Sequence, residues 1–302
     1  MRVDGGSGWR AWLAAARPRT LPAATAPVIL GTASAAAVGA FRAGPALAAL
    51  LGALAIQVGT NFVNDVADFQ QGTDTAARLG PTRATAAGWL SPRQMWRGVA
   101  VAFGLAALAG IYLTWASGWP VLAMGAASLL AAMAYSVGPF PLTRLGLGEP
   151  FVLVFFGFVA TCGTAWVQAL RVPPAAWWGG LVTGALAVAI LVVNNTRDHG
   201  TDRVAGRRTL PARLGKWAGL VELAVCFALA YAGTVGMVAT GAAPLTVLGS
   251  LATVPLAGRI VVSVAHHDDG PTLNRALAWT GQLLLLHSVL VSGLLLVVGA
   301  PR

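Results

Sequence analysis

Asparagine and aspartate side chains recur at helical spacing in one stretch of this 302-residue chain. Asn61, Asn64, Asp65 and Asp68 stand at positions i, i+3, i+4 and i+7, so on a helix they share one face. Asp74 follows in the next segment. Carboxylate and amide oxygens are the hard ligands that Mg²⁺ prefers, and Mg²⁺ is typically bound by one or two carboxylates together with substrate phosphates. The first cluster therefore predicts one half of a metal-diphosphate site.

A second cluster repeats the pattern 130 residues later. It contains Asn194, Asn195, Arg197, Asp198 and Asp202, of which Asn194, Asp198 and Asp202 share a helix face. An internal echo of this kind predicts two matched acidic faces that could hold a pair of Mg²⁺ ions. The alternative is that these side chains only cap helix ends. Because acids inside apolar helices are costly and usually functional, we favour the metal interpretation.

The composition indicates which elements position these residues. Only 10% of the residues are charged and 57% are hydrophobic, with a mean hydropathy of +0.72, which is far too apolar for a soluble domain. Repeated apolar runs of near-bilayer length predict an all-α, polytopic membrane protein whose single domain covers residues 1–302. We predict a bundle of nine transmembrane helices with cytoplasmic cap loops over the active site. The predicted spans are 21–41, 45–65, 98–116, 119–137, 150–170, 175–195, 217–239, 243–264 and 276–299.

The basic residues predict the orientation in the membrane. Seventeen of the twenty arginines and lysines fall on the side of the N-terminus, and only Arg42, Arg171 and Arg302 fall on the other. By the positive-inside rule the N-terminus is cytoplasmic and the C-terminus is outside. The net charge of +10 is thus explained by topology, and we predict no nucleic-acid partner. Both acidic clusters then lie at cytoplasmic ends of helices.

Several motifs together resemble one known family, the UbiA-type intramembrane aromatic prenyltransferases. The resemblance covers most of the chain and rests on the order and spacing of the motifs. The motifs are Arg17-Pro18-Arg19-Thr20-Leu21-Pro22, Asn64-Asp65-x2-Asp68-x3-Gly72-x-Asp74, Gly80-Pro81-x-Arg83, Tyr135-Ser136, Gly146-Leu147-Gly148-Glu149, Asn194-Asn195-x-Arg197-Asp198-x3-Asp202 and Arg208-Thr209-Leu210.

The resemblance implies an enzyme of the cytoplasmic (inner) membrane, in contact with membrane lipid. It implies Mg²⁺-dependent transfer of a polyprenyl group from polyprenyl diphosphate to an aromatic acceptor. The chain is most similar to the branch that uses 1,4-dihydroxy-2-naphthoate, with loss of CO₂, to give demethylmenaquinone for menaquinone biosynthesis. The implied catalytic residues are the metal ligands Asn64, Asp68, Asp74, Asn194, Asp198 and Asp202. The implied substrate-binding residues are Arg19, Asn61, Asp65, Arg83, Tyr135, Asn194, Asn195, Arg197 and Arg208.

Some alternatives stay open at this point. Another acceptor (4-hydroxybenzoate, homogentisate, haem or a phosphoribosyl donor) would fit the same reaction class. An ion-coupled transporter would also use paired polar motifs, although such motifs lie near mid-membrane rather than at helix ends. Any one arginine near the motifs either binds diphosphate or only sets topology. Glu149 either acts as a general base toward the acceptor or only neutralises Arg144.

Overall fold

A computed structural model describes residues 8–72, 79–138 and 141–297 of the chain. These residues form helices and connecting loops, with no strand among them. Asp74, which the sequence assigns to the first metal cluster, lies outside the described residues. The helices are α1 (Trp9–Ala16), α2 (Pro22–Ala36), α3 (Ala43–Gln70), α4 (Pro92–Ser117), α5 (Pro120–Ser136), α6 (Leu142–Leu145), α7 (Gly148–Ala169), α8 (Pro174–Val204), α9 (Leu210–Leu214), α10 (Lys216–Ala239), α11 (Leu245–His266) and α12 (Gly270–Val297).

Seven of these helices are long and apolar enough to cross a membrane, which confirms the all-α membrane class. They are α3, α4, α7, α8, α10, α11 and α12, and a predicted span falls on each. The remaining two predicted spans fall on α2 and α5, which have 15 and 17 residues. Helix α2 is shorter than predicted because the chain turns at Gly39, whose φ of +74° is available to glycine. There Ala40 N–H donates to the Ala35 carbonyl oxygen, which closes the helix end.

Helix α8 lies at the centre of the molecule. Its most apolar stretch is 72% buried, more than that of any other described candidate span. Val182, Leu186 and Val193 of this helix pack with Leu223 of α10 and Leu283 of α12 in one apolar cluster. Helix α10 runs antiparallel to α8. Because α8 is enclosed by its neighbours, the polar residues at its C-terminal end are held in a protein environment rather than in lipid.

Small residues allow α7 to approach α8 closely. A Cβ at Gly157, inside the π-helical segment Leu153–Val159 of α7, would collide with the Gly180 carbonyl oxygen and come within 2.7 Å of the Gly184 Cα. Such glycine contacts are a common means of packing membrane helices, because they bring two backbones into van der Waals contact.

We expect Gly157→Val to destabilise the protein by about 1–3 kcal/mol or more, because the added methyl groups have no space in this contact. The measurement is the midpoint of thermal unfolding of the purified protein in detergent. Gly104→Val is the matched control, since no heavy atom lies within 4 Å of a Cβ at Gly104 in α4. Equal midpoints for the two variants would contradict the packing argument.

Candidate active site

The C-terminal ends of α3 and α8 meet around one polar cavity of about 550 Å³. The segment 79–91, the first turn of α7 and the start of α12 complete its wall. The described side chains that line it include members of both acidic clusters and several arginines. Among the lining residues are Arg17, Arg19, Gln57, Asn64, Asp68, Arg83, Tyr135, Ser136, Glu149, Val152, Phe156, Asn194, Asn195, Arg197, Asp198, Arg207 and Asn274.

On the α3 side, Asn64 and Asp68 face the cavity and are held by neighbours. Asp68 is 8% exposed and pairs with Arg83. Arg83 also donates to the Asn64 carbonyl oxygen at 2.7 Å, and the Ser136 hydroxyl donates to Asn64 Oδ1. Asn64 and Asp68 are thus oriented toward the cavity by residues from the following loop and from α5.

Asp65 has a different position from its neighbours in the motif. Its carboxylate oxygens accept hydrogen bonds from the backbone N–H groups of Ala84 and Thr85, both at 3.0 Å. Asp65 is 1% exposed and does not line the cavity. The sequence assigned Asp65 to substrate binding, but the structure places it behind the site, where it anchors the loop that carries Arg83.

We expect Asp65→Ala to release this loop and to reduce activity, because two buried backbone N–H groups would lose their acceptor at about 1–3 kcal/mol each. The larger effect should be on the KM for the diphosphate substrate, since Arg83 would lose its fixed position. Steady-state kinetics with varied diphosphate substrate measure this change. Asp65→Asn keeps one acceptor oxygen and should lie between Asp65→Ala and the unmodified protein; a wild-type KM for Asp65→Ala would contradict the anchoring role.

On the α8 side, Arg197 organises the second acidic cluster. Its guanidinium donates through Nε to Asp198 Oδ1 at 2.8 Å, through Nη2 to Asn194 Oδ1 at 2.8 Å and through Nη1 to Asn274 Oδ1 at 2.6 Å. Asn274 in turn donates to the Leu79 carbonyl oxygen at 3.0 Å. Arg197 is 3% exposed. It therefore ties α8 to α12, and through Asn274 to the segment that precedes Arg83.

Arg207 joins the two acidic clusters. It contacts Asp68 Oδ1 at 3.1 Å and Asp202 Oδ1 at 3.2 Å, so one guanidinium bridges residues 134 positions apart. Burial alone would lower the pKa of Arg207, but Asp68 and Asp202 raise it above its usual value. Arg207 is therefore held as a cation between the two faces.

The sequence offered both Arg207 and Arg208 as arginines beside the acidic motif, and only Arg208 was assigned to substrate binding. The structure places Arg208 on the exposed surface, outside the cavity. The reason is the turn after α8, where Gly206 adopts φ +72° and Arg207 N–H donates to the Asp202 carbonyl oxygen at 2.9 Å. This helix-ending turn directs Arg207 back toward the acids. Gly206, immediately before Arg207, is the feature of the sequence from which this turn could have been predicted.

The other residues predicted to bind substrate have the following positions. Arg19 and Tyr135 line the cavity, and Asn195 lines it while donating to Glu149 Oε1 at 2.8 Å. Asn61 is 4% exposed and donates to the Ala16 carbonyl oxygen at 2.9 Å, so it holds the N-terminal segment. Asp202 is 4% exposed and does not line the cavity, but it contacts Arg207, which does.

A second, mostly apolar cavity of about 320 Å³ continues from the first. Gln57, Asn64, Tyr135, Val152 and Phe156 line both. Beyond them its wall consists mostly of small and apolar residues from α2, α3, α4, α5 and α7, and Asn61 also lines it. The two cavities together suit a ligand with an anionic head and a hydrocarbon tail.

The donor set around the polar cavity suits Mg²⁺. Asn64, Asp68, Asn194 and Asp198 present amide and carboxylate oxygens from two opposed faces, which is the ligand chemistry of this ion. Within the described part of the chain no three His, Cys, Asp or Glu residues converge tightly enough to chelate a metal by themselves. Mg²⁺ is commonly bound by one or two carboxylates together with substrate phosphates.

Comparisons with known proteins identify the family of the chain. Residues 24–289 match the model of the UbiA prenyltransferase family. The chain is 39% identical to a 1,4-dihydroxy-2-naphthoate octaprenyltransferase of Mycobacterium tuberculosis, over 94% of this chain and 96% of the relative. It is 38% identical to the Escherichia coli protein of the same name, over 68% and 69% of the two chains.

Solved structures give the same result for the fold. A UbiA homologue from Archaeoglobus fulgidus bound to DMAPP and Mg²⁺ superposes with a TM-score of 0.67 at 14% identity, covering 95% of this chain and 99% of that one. A UbiA homologue from Aeropyrum pernix superposes with a TM-score of 0.66 at 16% identity, covering 88% and 96%. By its fold, its paired acidic clusters and its sequence, the chain belongs to the UbiA prenyltransferase family.

Proposed function

We propose that this prenyltransferase transfers a polyprenyl group from polyprenyl diphosphate to 1,4-dihydroxy-2-naphthoate, with loss of CO₂, to form the hydroquinone demethylmenaquinol, which is isolated as demethylmenaquinone after oxidation by air. The observation that carries the proposal is the continuous pair of cavities, in which two acidic faces and their arginines precede an apolar chamber. The names of the relatives in Mycobacterium tuberculosis and Escherichia coli support this acceptor.

The diphosphate head binds in the polar cavity. Arg83, Arg197 and Arg207 are paired with carboxylates in the structure. When the substrate and ion are bound, these guanidinium groups turn from the carboxylates to the phosphate oxygens, which they match in geometry. Asn64, Asp68, Asp74, Asn194, Asp198 and Asp202 would hold Mg²⁺, which would supply Lewis-acid stabilisation of the charge on the departing diphosphate.

The prenyl chain occupies the apolar chamber, and Tyr135 lies at its junction with the polar cavity. In this position the reactive allylic carbon sits between the arginine cluster and the aromatic wall formed by Tyr135 and Phe156. Apolar surroundings exclude water from the allylic cation, which would otherwise be hydrolysed.

The membrane arrangement that we propose has nine spans, with α2 and α5 added to the seven longer helices. The N-terminus is cytoplasmic, the C-terminus is outside and the protein resides in the inner membrane. The charge bias supports this orientation, since Arg42 and Arg171 lie at the ends of helices opposite the polar cavity. The active site then opens to the cytoplasm under cap loops that include residues 79–91, and residues 1–302 act as one domain.

The proposal is tested with purified protein in detergent, supplied with Mg²⁺, a polyprenyl diphosphate and an acceptor. With dihydroxynaphthoate we expect release of diphosphate and formation of demethylmenaquinone, detected by chromatography. Replacement of Mg²⁺ by a chelator should abolish both products. Turnover with 4-hydroxybenzoate or homogentisate, but none with dihydroxynaphthoate, would keep the reaction class and overturn the acceptor.

A further inference from the structure

One acid in the polar cavity differs from the others in its partners. Among the described acids that line the cavity, Asp68 and Asp198 are each paired with arginine, whereas Glu149 forms no ion pair. Its carboxylate contacts its own backbone N–H and accepts one other hydrogen bond, from Asn195 Nδ2 at 2.8 Å. Arg144, the cation that the sequence offered as its partner, instead donates to Gln71 Oε1 at 2.9 Å. Glu149 is thus not committed to neutralising a cation.

The surroundings of Glu149 point to the acceptor rather than to the diphosphate. Glu149, Val152 and Phe156 stand at positions i, i+3 and i+7 on α7, and all three line the polar cavity. Val152 and Phe156 also line the apolar chamber. The Tyr135 hydroxyl lies nearby, 3.4 Å from where a Cβ at Gly148 would be. A flat aromatic ring placed against this wall has its polar substituents beside Glu149 and its ring beside the allylic carbon.

We propose that Glu149 is the general base that removes the proton from the acceptor hydroxyl next to the carboxylate, and that Asn195 is a positioning residue for it. This inference rests on the proposed function. The hydroxyl O–H bond breaks and its proton goes to Glu149. The oxygen lone pair then raises the electron density of the ring carbon that carries the carboxylate.

The remaining steps balance without another reactant and end at the hydroquinone, demethylmenaquinol. That ring carbon forms a bond to the allylic carbon, the allylic C–O bond breaks, and diphosphate leaves with the electron pair. The ring oxygen is now a ketone β to the carboxylate, so the bond to the carboxylate breaks and CO₂ leaves. Its electron pair returns to the oxygen, which takes the proton back from Glu149. The same residue therefore serves as base and then as acid.

Among the described residues, the titratable side chains that interact electrostatically with Glu149 come from two neighbouring helices. They are Tyr135 of α5, and Glu222 and Cys226 of α10. None of them is a cation, so none of them opposes the protonated form that Glu149 must take after it accepts the proton. Glu222 does not line the cavity. It is therefore a useful control, as a second carboxylate in a neighbouring helix without access to the acceptor.

The test measures kcat and both KM values for Glu149→Gln, Glu149→Asp and Glu222→Gln over a range of pH. For Glu149→Gln we expect kcat to fall about 10²- to 10⁴-fold, the contribution of a positioned base, with an unchanged KM for polyprenyl diphosphate. The deficit should shrink at alkaline pH, where hydroxide ionises the acceptor. Glu149→Asp should recover part of kcat, and Glu222→Gln should keep the maximal kcat.

Two outcomes would overturn the inference: a wild-type kcat for Glu149→Gln, or a loss that is the same at every pH. If Glu149→Gln does not fold, Glu149→Asp still tests the inference. The shorter aspartate side chain should reach the acceptor hydroxyl poorly, so a wild-type kcat for Glu149→Asp at low pH would contradict the role of Glu149 as the base. Failure of the proposed function looks different, since the unmodified protein would then form no product from dihydroxynaphthoate. If the unmodified protein is active and Glu149→Gln is equally active, the general-base role of Glu149 is wrong but the proposed function still holds.

Discussion

Asp198→Asn and Asp68→Asn are each expected to lower kcat about 10³-fold or more. The expectation follows from charge: each substitution removes an anionic oxygen ligand from one of the two faces, and loss of one stabilising group at a developing charge costs about 10²–10³ in rate. At 1.36 kcal/mol for each factor of ten, the barrier rises by about 4 kcal/mol. Initial rates of demethylmenaquinone formation at saturating substrates measure the effect.

Asparagine is chosen because it keeps the shape and one acceptor oxygen toward the partner arginine. Asp198→Asn retains the contacts of Arg197 with Asn194 and Asn274, so Arg197 keeps neutral partners. Asp268→Asn is the control, since the Asp268 side chain is 80% exposed and pairs only with Lys216 among its described neighbours. It should show wild-type rates. Full activity in both cavity variants would contradict the metal-diphosphate site.

Arg207→Gln is expected to lower kcat/KM for the polyprenyl diphosphate about 10²-fold or more. Arg207 contacts both acidic clusters, so its removal takes one positive charge away from between the carboxylates of Asp68 and Asp202. It also removes a bidentate donor for the diphosphate. Kinetics at varied polyprenyl diphosphate, with the acceptor saturating, measure the change.

Arg208→Gln is the matched control for this prediction. It removes the same charge one residue later, from a side chain on the exposed surface outside the cavity. We expect kcat/KM to stay near the wild-type value in Arg208→Gln. Equal losses of kcat/KM in the two variants would show that this quantity depends on the general positive charge of the loop and not on the bridge between the acidic clusters.

Much of the architecture follows from the sequence because it depends on local properties. The spans that coincide with the seven long helices are encoded in runs of apolar residues, and a helix is the only open-ended structure that satisfies its backbone hydrogen bonds in lipid. The membrane class and the pairing of Asn64 and Asp68 with Asn194 and Asp198 were therefore predictable. The length of α2 was not, because its end is set by a glycine turn at Gly39.

The site was less predictable where a side chain has more than one possible partner. Asp65 and Asp68 belong to one motif, yet Asp65 binds the backbone of residues 84 and 85 while Asp68 faces the cavity. Helical spacing places the two residues on the same broad face and cannot separate them. Only the path of the following loop shows which carboxylate is available to a ligand.

The sequence by itself therefore determined the kind of protein and the reaction class, through hydropathy, charge bias and two acidic motifs. The tertiary structure decided which residues share the cavity: Arg207 rather than Arg208, and Glu149 beside Asn195 rather than Arg144. The physical reason is that hydropathy and periodicity act over neighbouring residues. A hydrogen bond or an ion pair, by contrast, depends on distances of about 3 Å between groups that the fold brings together from distant parts of the chain.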